Sequence, residues 1–314
     1  MLVFRRAPPL PLRRPSAVTI GNFDGVHRGH QALLSRLASE AAQRALPTCV
    51  LTFEPHPREY FAQMGHVIAP ARVCSLRDKL DALAEHRVQR VNIAHFNAQL
   101  ASMSAERFID EVLIEALQTR FLLIGDDFRF GAGRTGDLGM LLTHGLAKGF
   151  EVQAMPTVND ANGRISSSAL RKALAEGSLE LAQSLLGRPF TMSGHVTHGR
   201  KLGRTLGFPT LNIRLAFKRP ALSGVFAVRI HGLGLSVRDG VASLGTRPAV
   251  ETNGAPLLEV NVFDFSESVY GKLVQIEFVS KLRDEEHYES LELLKRQIAQ
   301  DVADARQRLR RPGA

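Results

Sequence analysis

The first half of the chain alternates between short apolar runs and longer amphipathic segments. Runs of strand length lie at residues 18–20, 48–53, 91–96, 121–124 and 152–155. Apolar residues at helical spacing follow most of them, from His30 to about Pro47 and over 76–86, 105–118 and 138–148. Strands that alternate with helices are typical of a parallel, doubly wound sheet. We therefore predict an N-terminal α/β domain.

The periodicity changes after a helix at residues 179–186 and the turn Gly187-Arg188-Pro189. Short alternating segments follow at 190–196, 211–213, 224–230, 240–244, 257–263 and 273–279. This pattern predicts an all-β domain, most simply a small barrel. A last helix, whose apolar stripe comprises Leu291, Leu294, Ile298, Val302, Ala305 and Leu309, is expected to pack against it. We predict three parts: a loosely packed basic, Pro-rich lead-in (1–16), an α/β domain (17–186) and a barrel with its helix (187–314).

Composition agrees with two globular domains. The chain has 314 residues, of which 44% are hydrophobic and 23% charged. No apolar run approaches the roughly 20 residues of a membrane span, and the basic N-terminus lacks the apolar core of a secretory signal. The two cysteines, Cys49 and Cys74, form no C-x-x-C pair, which disfavours a disulfide framework or a structural zinc site. We expect a cytoplasmic protein without membrane contact.

The net charge of +9 is compatible with nucleic acid or with an anionic small molecule as the partner. The basic residues are spread along the chain, and only three Tyr and no Trp are available to stack on bases. A non-catalytic RNA-binding protein is thus one alternative, and it requires tight, salt-dependent RNA binding. We expect small-molecule substrates and no nucleic acid.

The stretch V-T-I-G-N-F-D-G-V-H-R-G-H-Q, residues 18–31, joins a predicted strand to a predicted helix. Ligands bind at this kind of junction in open α/β sheets, and a helix N-terminus attracts phosphate. His27 and His30 are three residues apart, so they share a face of the first helical turn. Gly29 leaves room for a ligand to approach the backbone.

Three later segments of the first half carry polar groups. Glu54-Pro55-His56-Pro57 follows the second strand, and the glycine-rich residues 125–137 follow the fourth. In Arg164-Ile-Ser-Ser-Ser-Ala-Leu-Arg171, the serines offer an N-cap and free N–H groups, and the two arginines form a clamp suited to phosphate. The sequence contains no Walker A motif.

Two segments of the second half carry candidate chemistry. The glycine-rich basic loop 199–209 leads into Thr210-Leu211-Asn212, where Thr210 and Asn212 are expected on one side of a strand. Their hydroxyl and amide oxygens suit Mg²⁺, and the loop could cover phosphates. Glu259 and Asn261 share the strand face opposite Leu258, Val260 and Val262.

These segments resemble known motifs. Residues 21–30, G-N-F-D-G-V-H-R-G-H, contain the H-x-G-H signature of the nucleotidyltransferases and resemble the bacterial bifunctional riboflavin kinase/FAD synthetases. The same family is resembled by T-F-E-P-H-P at 52–57, by residues 125–137, by the serine segment, by G-F-P-T-L-N at 207–212 and by residues 240–248. The chain departs from the usual family residues at Ala132 (Lys), Ser168 (Thr), Leu170 (Ile), Leu211 (Ala), Ser243 (Asn), Ala249 (Thr) and Asn261 (His).

The resemblance implies two reactions. The C-terminal domain would phosphorylate riboflavin to FMN with ATP and Mg²⁺, and the N-terminal domain would transfer AMP from ATP to FMN, giving FAD and pyrophosphate. The alternative is a single-activity nucleotidyltransferase whose β-domain only binds. We expect a monomer or a weak homo-oligomer.

The resemblance also implies residue roles. The catalytic residues would be His27, His30 and, as general base of the kinase, Glu259. The adenylyltransferase would bind ATP through Gly21, Asn22, Phe23, Asp24, Gly29, Asp127, Arg164, Ser167, Ser168 and Arg171. The kinase would bind ATP through Gly199, Lys201, Gly207, Pro209, Thr210 and Asn212, the last two also holding the metal. Flavin would contact Glu54, His56, Phe128, Arg283 and Asp284.

Overall fold

The computed structural model describes residues 1–160, 163–199, 207–246 and 256–310, with only the backbone of Thr246. The chain forms two compact units. The first comprises Met1–Pro70 and Lys79–Ile165, and the second comprises Ala71–Asp78 and Ser166–Ala314. In the described part of the chain, no helix has the length and apolarity to cross a membrane.

The first unit is built on a parallel sheet of six strands in the order β1-β4-β3-β2-β5-β6. The strands are β1 (Leu2–Phe4), β2 (Ser16–Ile20), β3 (Thr48–Glu54), β4 (Arg90–His95), β5 (Thr119–Gly125) and β6 (Glu151–Met155). The chain runs from β2 outward through β3 and β4 and returns to add β5 and β6 on the other side of β2. This reversal between β2 and β5 is the switch point at which open α/β sheets bind ligands, and the predicted α/β fold is confirmed.

The helices of this part of the chain are α1 (Arg28–Gln43), α2 (Pro57–Gln63), α3 (Leu76–Glu85), α4 (Ala98–Ala101), α5 (Ala105–Arg107) and α6 (Leu138–Lys148). The hydrophobic spacing predicts α1, α3, α5 and α6, whereas α2 and α4 were not predicted. The predicted helix 105–118 differs in form, because α5 continues as π-helical turns over Phe108–Ala116. The N–H of Leu117 accordingly bonds the carbonyl of Val112, five residues back.

The first residues do not form the loosely packed lead-in that their composition predicts. Instead, β1 pairs in parallel with β4 at the edge of the sheet. The guanidinium of Arg90, 7% exposed, donates to the carbonyl of Leu12 and to Oγ of Ser16 and lies over the ring of Phe4. One buried arginine therefore holds the segment against the sheet.

The second unit contains a closed antiparallel barrel in the order β10-β13-β12-β11-β14-β9, as predicted. Its strands are β9 (Phe190–Thr197), β10 (Leu211–Arg214), β11 (Gly224–His231), β12 (Arg238–Thr246), β13 (Pro256–Val262) and β14 (Leu273–Arg283). Two helices, α7 (Ser167–Ala175) and α8 (Leu179–Leu186), precede it, and α9 (Leu291–Leu309) follows. Between β6 and α7, the first unit also carries a two-stranded hairpin, β7 (Asn159–Asp160) with β8 (Gly163–Arg164).

The C-terminal half of the predicted stripe on α9 packs against the barrel. Ala305, Leu309 and the half-buried Val302 contact a cluster on β11, β12 and the end of β13. Leu291, at the start of the helix, is 61% exposed. The segment Ala71–Asp78 also belongs to this unit, where the N–H of Arg72 donates to the carbonyl of Arg219 at 2.6 Å.

Candidate functional site

The turn between β2 and α1 is wound tightly around a buried aromatic ring. Phe23, Gly25 and Val26 have φ values of +49°, +88° and +44°, all in the left-handed region. Phe23 and Val26 are fully buried, and Asp24 is 2% exposed. The Phe23 side chain therefore belongs to the core, and a ligand can contact this residue only through its backbone. Asn22 Oδ1 is buried, without a hydrogen-bond partner among the described residues.

The two histidines lie at the start of α1, face to face. His27 is the N-cap, and its Nδ1 accepts the backbone N–H of His30 at 3.3 Å. The two rings stack with centroids 3.8 Å apart and planes 18° apart, which confirms that they share a face. Because Nδ1 acts as the acceptor, the neutral His27 ring carries its proton on Nε2.

Gly29 is required by close packing at this turn. A Cβ at this position would lie 3.2 Å from the His27 ring and 3.3 Å from the carbonyl of Ile165. His27 is buried, whereas His30 is half-exposed. The glycine therefore sets how deeply the His27 ring sits and how near α1 comes to the chain at Ile165.

The loop after β5 brings two predicted ATP-binding residues together. The guanidinium of Arg164 pairs with the carboxylate of Asp127 at 2.6 Å, and both side chains are more than half exposed. Phe128, beside Asp127, stacks on Phe130 with planes 14° apart. Phe130 in turn packs on Phe108 of the core. This loop thus presents a half-exposed aromatic ring next to an ion pair at the switch-point edge of the sheet.

An aromatic cluster at the carboxyl ends of β3 and β4 was not predicted as part of a site. Phe96 contacts three rings edge to face, those of Phe53, Tyr60 and Phe61, with centroids 5.5 to 5.9 Å apart. All four side chains are half-buried. The signal in the sequence was the placement of aromatic residues just where two predicted strands end.

The predicted Glu54–Pro57 loop leads into this cluster. His56 is the N-cap of α2, and its Nδ1 accepts the N–H of Arg58 at 3.0 Å. Glu59 completes a capping box by accepting the N–H of His56. His56 is 7% exposed, so the structure gives it a definite local role in starting the helix that carries Tyr60 and Phe61. Its predicted contact with flavin, like that of the half-buried Glu54, stays a prediction.

The serine segment starts α7 in the second unit. Ser166 is the N-cap and accepts the N–H of Ala169, so Ser167 and Ser168 occupy the first turn. Their N–H groups lie at the end of the helix that attracts phosphate. The guanidinium of Arg171 donates to the carbonyl of Ala71 at 2.7 Å. The roles of these three residues in binding ATP stay predictions.

Three strands of the barrel align polar side chains on the outer face. In the ladder, Glu259 of β13 pairs with Asn212 of β10 on one side and with Ser243 of β12 on the other. Leu258, Val260 and Val262 are buried on the opposite face, as the alternation predicts. Cross-strand neighbours have Cβ atoms about 5 Å apart, so the structure brings Asn212 and Glu259 together.

Asn212 has the environment expected of a metal ligand. It is 7% exposed, and its Oδ1 has no hydrogen-bond partner within the described ranges. A Cβ on Gly199 would lie 2.2 Å from the Asn212 Nδ2, so only glycine leaves space beside this amide. An unsatisfied buried amide oxygen is costly, and it is the type of oxygen that Mg²⁺ accepts. The residue therefore fits the predicted ion.

Thr210 lies just before β10, which begins at Leu211. Strand alternation therefore does not fix its direction, and its convergence with Asn212 on a metal stays a prediction. Pro209 and Thr210 line a cavity of about 340 Å³ with Phe265 and Tyr270. Asn212 lines another cavity, of about 390 Å³, with His198 and Lys218. Gly207, near the end of the loop that leads into Thr210, is exposed.

The predicted flavin residues at the end of β14 are held by α9. The Arg283 guanidinium binds both carboxylate oxygens of the buried Asp301, at 2.8 and 2.7 Å, and this contact raises the pKa of Arg283. Asp284 is exposed and pairs with Lys281 at 2.6 Å. Glu285 accepts a hydrogen bond from Ser243 at 2.9 Å. Lys201 and Ala249 lie outside the described residues.

Two family models match this chain, one in each half. The model described as FAD synthetase matches residues 11–169. The model described as riboflavin kinase matches residues 186–309. The second match disfavours a β-domain that only binds.

Similar proteins match nearly the whole chain. The bifunctional riboflavin kinase/FMN adenylyltransferase of Escherichia coli is 47% identical over 290 residues, covering 92% of this chain and 91% of that protein. The protein of the same name from Pseudomonas fluorescens is 45% identical and covers 94% of both chains. A crystal structure titled macrolide-efflux protein, from Streptococcus pneumoniae, is 28% identical with a TM-score of 0.78, covering 98% of this chain and 99% of that one.

Proposed function

This chain belongs to the family of bifunctional riboflavin kinase/FMN adenylyltransferases, and we propose from that premise which residues carry each of the two reactions. The protein phosphorylates riboflavin to FMN and adenylylates FMN to FAD. We assign the adenylyl transfer to the His27 and His30 turn and the phosphorylation to the outer face of the barrel around Glu259. The observation that carries this division is that the stacked histidines and Glu259 belong to different compact units.

Adenylyl transfer needs charge stabilisation more than a base. The FMN phosphate is already anionic, and its oxygen attacks the α-phosphorus of ATP while pyrophosphate leaves. Because Nδ1 of His27 is used as the helix cap, the neutral ring carries its donor hydrogen on Nε2. Together with His30, Arg164 and the N–H groups at the start of α1, it would stabilise the charge that develops on the phosphates.

We place the isoalloxazine ring of FMN against the aromatic cluster of Phe53, Tyr60, Phe61 and Phe96. A half-buried set of rings at the carboxyl ends of β3 and β4 offers apolar edges and faces to a flat ligand. Phe128 reaches the same edge of the sheet from the end of β5. Ligands of open α/β sheets bind in the crevice outside these strand ends, which supports this placement.

Phosphorylation of riboflavin needs a base, because a hydroxyl is a weak nucleophile at neutral pH. Glu259 would take the proton of the 5′-hydroxyl as its oxygen attacks the γ-phosphorus and ADP leaves. Asn212 and Thr210 would hold Mg²⁺, which supplies positive charge to the phosphates when it is bound. The buried Oδ1 of Asn212 lies in the strand next to Glu259 and has no hydrogen-bond partner in the described part of the chain, which supports this arrangement. The cavity beside Thr210, which Phe265 and Tyr270 also line, has the size and aromatic lining to bind the adenine ring of ATP.

Chromatography of flavins tests the assignment. Riboflavin with ATP and Mg²⁺ should give FMN and FAD, and added FMN should give FAD. We expect His30→Ala to convert riboflavin to FMN without FAD, and Glu259→Ala to make FAD from FMN without acting on riboflavin. Loss of both activities in either folded variant would contradict the two-site division.

We further propose that small molecules are the partners of the enzyme and that it works in the cytoplasm as a monomer or a weak homo-oligomer. ATP, riboflavin and FMN account for the predicted sites, and two of the three are anions that suit the net charge of +9. Size-exclusion chromatography with light scattering at several salt concentrations, with and without added RNA, tests this part. A stable oligomer or an RNA complex that persists in salt would contradict it.

A further inference from the structure

Asn261 lies level with Thr210 at the start of the β10–β13 ladder. The first paired residues are Leu211 and Val260, followed by Asn212 and Glu259. Asn261 is therefore one position outside this first pair, on the same outer face as Glu259. Its Nδ2 donates to the carbonyl of Pro209 at 2.8 Å. This side-chain bond extends the contact between the two strands beyond their main-chain pairing.

The bond acts on the peptide group that begins Thr210. The carbonyl of Pro209 and the nitrogen of Thr210 belong to one planar unit, so fixing the oxygen also fixes the orientation of that plane. The ring of Pro209 already limits its φ angle. The fixed peptide places N and Cα of Thr210, and the pairing of Leu211 with Val260 holds the chain on its other side, so the two together limit the direction of the Cα–Cβ bond.

We propose that Asn261 is a positioning residue of the kinase site, which orients Thr210 toward Mg²⁺ by holding the Pro209–Thr210 peptide. The inference rests on the proposed function, because it takes Thr210 as a metal ligand. In this role Asn261 acts through Thr210, by its hydrogen bond to the carbonyl of Pro209. Histidine, the usual family residue here, also carries a ring N–H that can donate to a carbonyl, so one hydrogen bond can be supplied by either side chain.

The experiment compares Asn261→Ala, Asn261→His and a control, Gln275→Ala, which removes an exposed amide from β14. Hydrogen exchange of residues 207–214, measured without nucleotide or metal, reports the restraint directly. The Mg²⁺ dependence of riboflavin phosphorylation reports its consequence. For the alanine variant, we expect exchange about fivefold faster and a half-saturating Mg²⁺ concentration about fivefold higher, as the loss of one hydrogen bond implies. At saturating Mg²⁺, kcat should be retained.

The histidine variant should restore the wild-type exchange rate and the wild-type half-saturating Mg²⁺ concentration. Gln275→Ala should match the wild type in both measurements, and all variants should adenylylate FMN at the wild-type rate. Unchanged exchange and Mg²⁺ dependence in Asn261→Ala would overturn the inference. Failure of histidine to restore them would do the same, because it would assign the effect to packing. A wild-type protein that makes no FMN from riboflavin would overturn the proposed kinase site and this inference together, whereas an active wild type leaves the inference to be judged by its own variants.

Discussion

Gly29 is the residue at which backbone packing and proposed chemistry meet most closely. It occupies the second position of α1, directly after the N-cap and the first helical residue. Alanine is a better helix former than glycine by about 1 kcal/mol, but here its Cβ would press on the His27 ring and on the rigid carbonyl of Ile165. Glycine at this position therefore makes the helix less stable but leaves room for the imidazole of His27.

We expect Gly29→Ala to lower FMN adenylylation at least tenfold, about 1.4 kcal/mol of transition-state stabilisation, and to leave riboflavin phosphorylation unchanged. The reason is displacement of His27 by a few tenths of an ångström. The matched control is Gly139→Ala at the second position of α6, where a Cβ would meet only Asp137 Oδ1 at an ordinary 3.4 Å. Steady-state rates of FAD formation from FMN measure the effect, and equal losses in both variants would contradict it.

Cys49 gives a second prediction for a single residue, through its titration. Burial in the core raises the pKa of this thiol from an ordinary 9.0 to about 12. Above pH 9 the unfolded chain loses this proton while the folded chain keeps it, so stability falls as pH rises. Between pH 7 and pH 10, the thiol should cost about 1.4 kcal/mol, or about 4 °C in melting temperature.

Thermal unfolding of the wild type and of Cys49→Val over this pH range isolates the thiol, because valine has a similar volume and no titratable group. The melting temperature of the wild type should fall more steeply. Parallel pH curves would show that the thiol ionises equally in both states and would refute the prediction.

The residue scale also shows where sequence reasoning reaches its limit. The shared face of His27 and His30, and that of Glu259 and Asn261, follow from helix and strand periods, so both pairs were predictable. The use of His27 as an N-cap was not, because the same spacing is compatible with other caps. The burial of Phe23 depends on a turn in which Phe23, Gly25 and Val26 have positive φ, and no hydrophobic pattern specifies these angles.

Regular elements were predictable wherever burial has a clear period. The bounds of α6, at 138–148, and of α8, at 179–186, coincide with the prediction. The π-helical turns at 108–116 were not predictable, because an α-helix would bury the same residues. These are Phe108, Ile109, Leu113 and Ala116. β1 was not predicted, because its three residues carry no strand pattern of their own and the segment is held in place by Arg90.

Among the described residues, an apolar cluster and two ion pairs, Arg283–Asp301 and Arg306–Asp264, attach the terminal helix α9. Asp301 is 4% exposed and binds the Arg283 guanidinium with both oxygens. We expect Asp301→Ala to cost about 2 kcal/mol, since it leaves a partly buried guanidinium without its carboxylate. Hydrogen exchange of residues 291–309 should then be faster. Asp304→Ala, which removes only an i,i+4 contact with Gln300, should leave exchange unchanged. The same exchange in both variants would contradict this role.

At the scale of the whole molecule, the residues proposed to catalyse the two reactions, His27 and His30 for one and Glu259 for the other, belong to different units, and the product of one reaction is the substrate of the other. A site in each unit requires that FMN leave the barrel before it is adenylylated. Two damaged proteins should therefore complement each other in solution. His30→Ala retains the proposed kinase site, and Glu259→Ala retains the proposed adenylyltransferase site.

We expect neither variant alone to convert riboflavin to FAD, and an equimolar mixture of the two to do so after a lag. The lag arises because FMN from His30→Ala must accumulate in solution before it occupies the other protein, so doubling the total protein concentration should shorten it. Addition of FMN at the start should abolish the lag without changing the later rate. Flavin chromatography over time measures all three features. A mixture that forms no FAD from riboflavin, or FAD formation from riboflavin by either variant alone, would contradict separate sites.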